Sequence, residues 1–134
     1  MTYFSLLCSC LSLKTNSSDF QISYVKSRGR QLKKPHFKIE IKGNSVYYTG
    51  IANMSVLGKT NFKLSKSELK KITTSFKQGE FSQFKKKYIT KYRDMALTII
   101  TYKNHEVRYQ DVEAPKKLKD LALLLESCLP NDYK

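Results

Sequence analysis

The chain has 134 residues, which is the length of one typical domain and leaves little room for two. Its hydrophobic fraction of 40%, with nine Tyr and seven Phe, excludes a globally disordered chain. The formal net charge of +14 excludes an acidic protein, and it is concentrated in residues 1–105, because residues 106–134 hold six acids and five bases.

The first predicted segment is a leader, or tether, that covers residues 1–19. Residues 3–13 are uncharged and mostly apolar, but this run is too short to span a bilayer and follows no basic stretch. Leu7-Cys8-Ser9-Cys10 resembles a bacterial lipoprotein box. This resemblance implies that Cys10 carries a lipid and that residues 11–19 form a tether. Two interpretations stay open: an export or lipoprotein signal truncated by a start codon assigned too late, and a frayed cytoplasmic terminus.

Residues 20–134 are expected to form a single α+β domain that begins with β-hairpins. The alternation of apolar and polar residues predicts half-buried strands over 20–26, 36–42, 46–49 and 61–64. Residues 27–34 form a basic loop between the first two strands. Gly43-Asn44 predicts a two-residue hairpin turn, because both residues accept positive φ. A second hairpin is expected to start with a strand over 51–56 and to turn around Gly58.

The second half of the chain combines two helices with one more hairpin. Ser65 and Glu68 form a capping box, which predicts the start of a helix that continues to about Gln78 and ends at Gly79. Aromatic residues at 81, 84 and 88 predict a further short turn of helix. Strands over 96–102 and 106–109 follow, and Pro115 opens the last helix. These elements predict an antiparallel sheet of hairpins with the two main helices packed on one face.

The order of these elements resembles a family of small bacterial domains, catalogued only as a domain of unknown function, whose members often follow a lipoprotein signal. The family is marked by a C-x-G-x-C-P loop and by V-x-Y-x-G on the return strand of the next hairpin. The matching residues here are Pro35, Phe37, Ile39, Ile41, Val46, Tyr48, Gly50, Leu64, Leu69, Phe76, Phe81, Asp94, Pro115 and Leu118. The resemblance as a whole covers roughly residues 20–129. Arg30 and Lys34 occupy the two cysteine positions and Leu32 the glycine position, so this chain lacks whatever those cysteines do in the family. The resemblance implies a fold, and the family name supplies no function.

The cysteines and glycines do not predict a cofactor or a metal site. Cys8, Cys10 and Cys128 form neither a disulfide framework nor a zinc pattern, and Cys128 is expected to pack as a small hydrophobe. Residues 58–60, Gly-Lys-Thr, resemble the end of a phosphate-binding loop, but Asn53 stands where that motif needs a glycine. We therefore expect no cofactor and no metal.

From the sequence we also expect that the protein is not an enzyme. His36 and His105 are the only histidines, and no nucleophile and orienting acid are placed by motif to work with either of them. Asp94 follows Arg93 and is expected to pair with it or to cap the next strand. An active site around Asp94 and His105 is the least favoured function.

Two basic segments are the candidate sites for an anion or a partner. Their bases are Arg28, Arg30, Lys33, Lys34, Lys85, Lys86, Lys87, Lys91 and Arg93. Tyr88 and Tyr92 interleave with the second segment, which is the pattern of single-stranded nucleic-acid binding, but no nucleic-acid-binding motif is present. The alternative for such bases is a lysine-rich surface that is merely well solvated.

We expect a small basic binding or structural module, non-enzymatic and exported or lipid-anchored at the cell envelope. Its partner is expected to be an anionic surface, such as the envelope or lipid headgroups, or another protein. The alternative is a cytoplasmic protein associated with nucleic acid.

Overall fold

The computed structural model describes residues 20–90 and 95–134 of the chain. The strands are β1 (Gln21–Ser27), β2 (His36–Lys42), β3 (Ser45–Ala52), β4 (Gly58–Lys63), β5 (Lys87–Tyr88), β6 (Leu97–Tyr102) and β7 (His105–Tyr109). The helices are α1 (Lys66–Gln78) and α2 (Lys116–Glu126), with 3-10 helices at Phe81–Gln83 and Asn131–Tyr133.

The strands form one seven-stranded sheet in the order β4-β3-β2-β1-β6-β7-β5. Every neighbouring pair is antiparallel except β5 and β7, which are parallel. The β1–β4 meander meets the β6–β7 hairpin where β1 pairs with β6, from Ile22 opposite Tyr102 to Ser27 opposite Leu97. The α+β class and the antiparallel sheet of hairpins that the sequence predicts are therefore confirmed.

Helix α1 begins and ends where local sequence signals predict. The Ser65 Oγ accepts a hydrogen bond from the Glu68 N–H at 3.1 Å, and the Glu68 Oε1 accepts one from the Ser65 N–H at 3.0 Å. This reciprocal pair satisfies two N–H groups that the first turn of a helix leaves without partners. Gly79 follows the last turn, and its N–H donates to the Ser75 carbonyl.

Both helices pack on the same face of the sheet. The Phe76 ring of α1 contacts the Tyr102 ring of β6 at a centroid distance of 5.3 Å. The Tyr24 hydroxyl of β1 donates to the Glu126 carboxylate of α2. The side chains buried between these layers include Ile22, Phe37, Ile39, Ile41, Val46, Tyr48, Ile72, Ile100, Val107, Tyr109, Leu118 and Leu125. This one-sided core also buries Cys128, as predicted.

The prediction of a strand over residues 51–56 is wrong. Strand β3 continues to Ala52, residues 53–57 form the β3–β4 loop, and Gly58 begins β4 instead of forming the turn. The loop folds back over β3, because the Tyr48 hydroxyl donates to the Val56 carbonyl at 2.8 Å. A Cβ on Gly50 would lie 2.1 Å from the same carbonyl oxygen, so this approach requires a residue without a side chain.

The structure also contains a strand that the periodicity does not predict. The 3-10 helix that follows α1 has only three residues, and the chain then forms β5 beside β7. The Arg108 N–H donates to the Lys86 carbonyl, and the Gln110 N–H donates to the Tyr88 carbonyl. A two-residue strand has no alternation to detect, so only its partner strand defines it.

We expect Gly50→Ala to lower the free energy of unfolding by about 2 kcal/mol or more, because the new methyl group forces the β3–β4 loop away from β3. Urea denaturation at 25 °C measures this loss. Thr49→Ala, one residue away and half-exposed, is the control and is expected to change stability by less than about 1 kcal/mol. Equal stability of the two variants would contradict the close approach at Gly50.

Candidate partner-binding surface

The second face of the sheet consists of the side chains that alternate with the buried ones, and neither helix packs on it. Cross-strand register arranges most of these side chains in three rows, and Ser27 pairs with Leu97 beyond the first row. The first row is Lys87, Arg108, Ile99, Val25, Lys38, Thr49 and Lys59; the second is Glu106, Thr101, Ser23, Glu40, Tyr47 and Asn61; the third is Gln21, Lys42, Ser45 and Lys63. Together these three rows are called the open face.

The open face carries six bases and two acids, and both acids lie in the middle row. The Glu40 carboxylate accepts from the Lys38 ammonium at 2.6 Å, and this hydrogen bond lowers the pKa of Glu40. Glu106 and Arg108 form the second ion pair, at 3.0 Å. Six bases against two acids leave the open face with an excess of four positive charges, and each acid already pairs with a neighbouring base.

An aliphatic centre lies among these charges. Val25 of β1 pairs directly with Ile99 of β6, and the two half-buried side chains lie between Lys38 and Arg108 in the same row. Tyr47, which is 47% exposed, lies on the other side of Glu40 from β1. An apolar centre with a charged rim is the usual composition of a surface that binds another protein.

A groove of about 480 Å³ borders the open face at the start of β1. Its lining includes Gln21, Ser23, Glu40, Lys42 and Thr101 of the open face. Phe20 and the 103–104 turn close it at the end of the sheet. A groove of this kind can accept a protruding side chain of a partner.

The structure separates the two predicted basic segments. Arg28, Arg30, Lys33 and Lys34 lie on the β1–β2 loop, at the end of the sheet where β1 ends and β6 begins. Residues 85–86 lead into β5, which pairs with the last two residues of β7 and is separated from β1 by β6 and β7. The described bases of the two segments therefore lie on different parts of the sheet.

Among the bases of these two segments that the structure describes, one belongs to the open face. Lys87 stands beside Arg108 in the first row, whereas residues 85 and 86 precede the strand. Lys91 and Arg93 lie outside the described residues, as do Asp94 and the predicted lipid-carrying Cys10. The bases that form the open face, such as Lys42 and Lys63, were missed because each is single in the sequence and only the register groups them.

The histidine considered for catalysis has a packing role. The His105 Nε2 lies 2.8 Å from the Phe84 carbonyl oxygen, and its ring contacts the edge of the Phe81 ring at 5.6 Å. His105 thereby holds the 3-10 helix and the segment before β5 against the sheet. Among the described residues, no group of His, Cys, Asp or Glu could hold a metal ion, and no helix is long and apolar enough to cross a membrane.

A partly buried polar cluster joins α2 to the sheet. The Tyr24 hydroxyl donates to Glu126 Oε2 at 2.7 Å, and the Lys26 ammonium lies 3.4 Å from the same oxygen. Burial raises the pKa of Tyr24, and of Tyr109 beside it in the same small cleft, well above the usual range. Both phenols stay protonated, so Tyr24 acts as a hydrogen-bond donor that positions α2.

We expect these phenols to make the protein sensitive to alkali. Above pH of about 10 the unfolded chain loses protons that the folded chain keeps on Tyr24 and Tyr109, so the free energy of unfolding falls as pH rises. The expected slope is about 1.4 kcal/mol per pH unit for each tyrosine. Urea denaturation at several pH values from 9 upward measures it.

The Tyr109→Phe variant is expected to have a shallower slope above pH of about 10, because it removes one of the two protons. Thr49→Ala, which removes no ionisable group, is the control and should leave the slope unchanged. The same slope in wild type and Tyr109→Phe would contradict the assignment.

A comparison with protein families gives a match. A family model described as a domain of unknown function, DUF6438, matches residues 33–129, which is more than half of the chain. The match begins after β1, although β1 lies near the centre of the sheet. No curated protein matches the chain.

Proposed function

The chain belongs to the DUF6438 family, whose description names no activity, and we propose from the surface of this chain that it is a non-enzymatic binding module for an acidic protein partner. The observation that carries the proposal is the open face: an excess of four positive charges surrounds the Val25–Ile99 centre. Acidic side chains of a partner would face the lysines, and an apolar side chain would cover the aliphatic pair.

The distribution of bases on the open face supports a partner that is broad and acidic. Lys42 lies on β2, and Lys59 and Lys63 lie on β4. All three belong to the two outer rows, and the two acids lie between them in the middle row. A partner that reaches across β2, β3 and β4 would meet several lysines at once. Long-range attraction of this kind raises the rate of association and decreases with salt.

Nucleic acid is the alternative partner, and the aromatic content of the open face argues against it. Single-strand binding sites stack successive bases on several aromatic rings. Within the three rows, Tyr47 is the aromatic residue, and Val25 and Ile99 occupy the centre. Aliphatic side chains suit the apolar side chains of a protein better than they suit nucleotide bases.

We expect the double variant Lys42→Glu with Lys63→Glu to bind poly-L-glutamate roughly tenfold more weakly than wild type, because two attractive contacts become repulsive. Fluorescence anisotropy at low and moderate salt measures the affinity. The matched control is Lys70→Glu with Lys71→Glu on α1, which makes the same change of net charge on exposed positions away from the open face.

Equal losses in the two double variants would contradict a specific role of the open face. Oligothymidine is the competing probe in the same assay. Tighter binding of oligothymidine than of poly-L-glutamate, lost in the open-face variant, would favour the nucleic-acid alternative. Amide shifts in NMR spectra recorded with poly-L-glutamate are expected at β1, β2, β3 and β4 positions of the open face.

We also propose that the module is exported and anchored by a lipid on Cys10. This part rests on the resemblance of residues 7–10 to a lipoprotein box. When the gene is expressed in a bacterium, we expect radioactive palmitate to label the protein, and Cys10→Ala to abolish the label. Cys8→Ala is the control and should keep it. An unlabelled protein in the cytosol, produced with the correct start codon, would contradict the anchor.

A further inference from the structure

Two loops lie side by side at the end of the sheet that faces away from the 43–44 and 103–104 turns. The β1–β2 loop covers residues 28–35, and the β3–β4 loop covers residues 53–57. The Asn53 side chain joins them, because its amide donates to the carbonyl of Leu32 and, at 2.8 Å, to that of Lys34. These two loops together are called the loop tip.

The β1–β2 loop is held in place by further hydrogen bonds. The Gln31 N–H donates to the Arg28 carbonyl, and the Lys34 N–H donates to the Gln31 carbonyl, each at 3.0 Å. The Gln31 side chain accepts from the Ala96 N–H at 2.8 Å, which fixes the loop to the segment before β6. The loop therefore has a defined conformation from which its side chains project.

This ordered loop tip exposes two leucines. Leu32 is 69% exposed and Leu57 is 63% exposed, each on its own loop. Arg28, Arg30, Lys33 and Lys34 surround Leu32 in the chain, and the β3–β4 loop carries no charge. Exposed aliphatic side chains among bases are the combination that places a protein surface at the interface of an anionic bilayer.

We propose that the loop tip docks on an anionic lipid surface. Leu32 and Leu57 enter the boundary between headgroups and acyl chains, and the bases around Leu32 contact the phosphate groups. The fixed loops favour this docking, because little conformational freedom is lost when the surface binds. This site uses residues other than those of the open face, so it does not depend on the proposed protein partner.

The charges at this end of the sheet favour the β1–β2 loop as the point of contact. This loop carries four bases and no acid. The acids nearby lie on other segments: Asp111 on the β7–α2 connection, and Glu126, which pairs with Lys26 of β1. Asp132 belongs to the 3-10 helix before Lys134, whose carbonyl accepts a hydrogen bond from Ser55 of the β3–β4 loop. An anionic surface would therefore attract the β1–β2 loop first.

Vesicle sedimentation with the full chain tests the proposal. The vesicles are equimolar phosphatidylglycerol and phosphatidylcholine, or phosphatidylcholine alone. We expect wild type to prefer the anionic vesicles and to dissociate as salt rises. Lys33→Glu with Lys34→Glu should weaken partition roughly thirtyfold, and Leu32→Ser with Leu57→Ser roughly tenfold.

Matched controls use equally exposed positions elsewhere. Leu123→Ser changes a leucine of α2 that is 64% exposed, and Lys70→Glu with Lys71→Glu makes the same change of charge on α1. Both should bind vesicles within about threefold of wild type. Circular dichroism checks that each variant is folded.

Three results would overturn the docking site. Equal binding to neutral and anionic vesicles would remove the role of the bases. Equal binding by wild type and both loop-tip variants would place any membrane affinity elsewhere in the chain. A change of oligomeric state in the loop-tip variants, measured by sedimentation velocity, without a change in vesicle binding would identify a second copy of the chain as the occupant. None of these results depends on whether the open face binds poly-L-glutamate.

Discussion

The pairing of β1 with β6 is the contact on which the rest of the fold depends. It joins residues that are 70 to 80 positions apart, and it connects the β1–β4 meander to the β6–β7 hairpin in one sheet. Without it, each part would be a small sheet with too little area for the two helices to cover. Ile22 and Tyr24 of β1 and Ile100 of β6 are buried at this junction. Because such distant pairing loses much chain entropy before it forms, we expect it to be a late event in folding.

Burial on a single face determines what the other face can do. The core and both helices occupy one side, so alternation places every second side chain of the sheet on the open side. The core side must be apolar, but the open side is free to carry lysines, ion pairs and the aliphatic pair Val25 and Ile99. The same register that builds the core therefore also sorts the charges into rows.

Local signals in the sequence predict some elements well and others not at all. The alternation on either side of the Gly43-Asn44 turn predicts β2 and β3, and the capping box at Ser65 predicts α1. Contacts between residues that are close in the sequence decide these elements. The β3–β4 loop differs from the prediction because its apolar alternation imitates a strand, while Gly50 and the Tyr48 hydroxyl bring Val56 back over β3.

The candidate surfaces depend on contacts that are more distant in the sequence. The lysines of the open face become neighbours only once the register of four strands is known. The bond between Tyr24 and Glu126 spans 102 positions, so no local pattern marks either residue. The basic loop 28–34 was visible as a run of charge, but its attachment to the β3–β4 loop through Asn53 was not.

The two edges of the sheet have a consequence for association between copies. Strand β4 forms one edge, and its outward lysines 59 and 63 would face like charges if the same strand of another molecule lay alongside it. Strand β5 forms the other edge and offers only two residues as a template. Edges that are charged or very short resist the growth of continuous sheets from molecule to molecule. This domain can therefore be concentrated at a surface while its described strands remain protected from fibril formation.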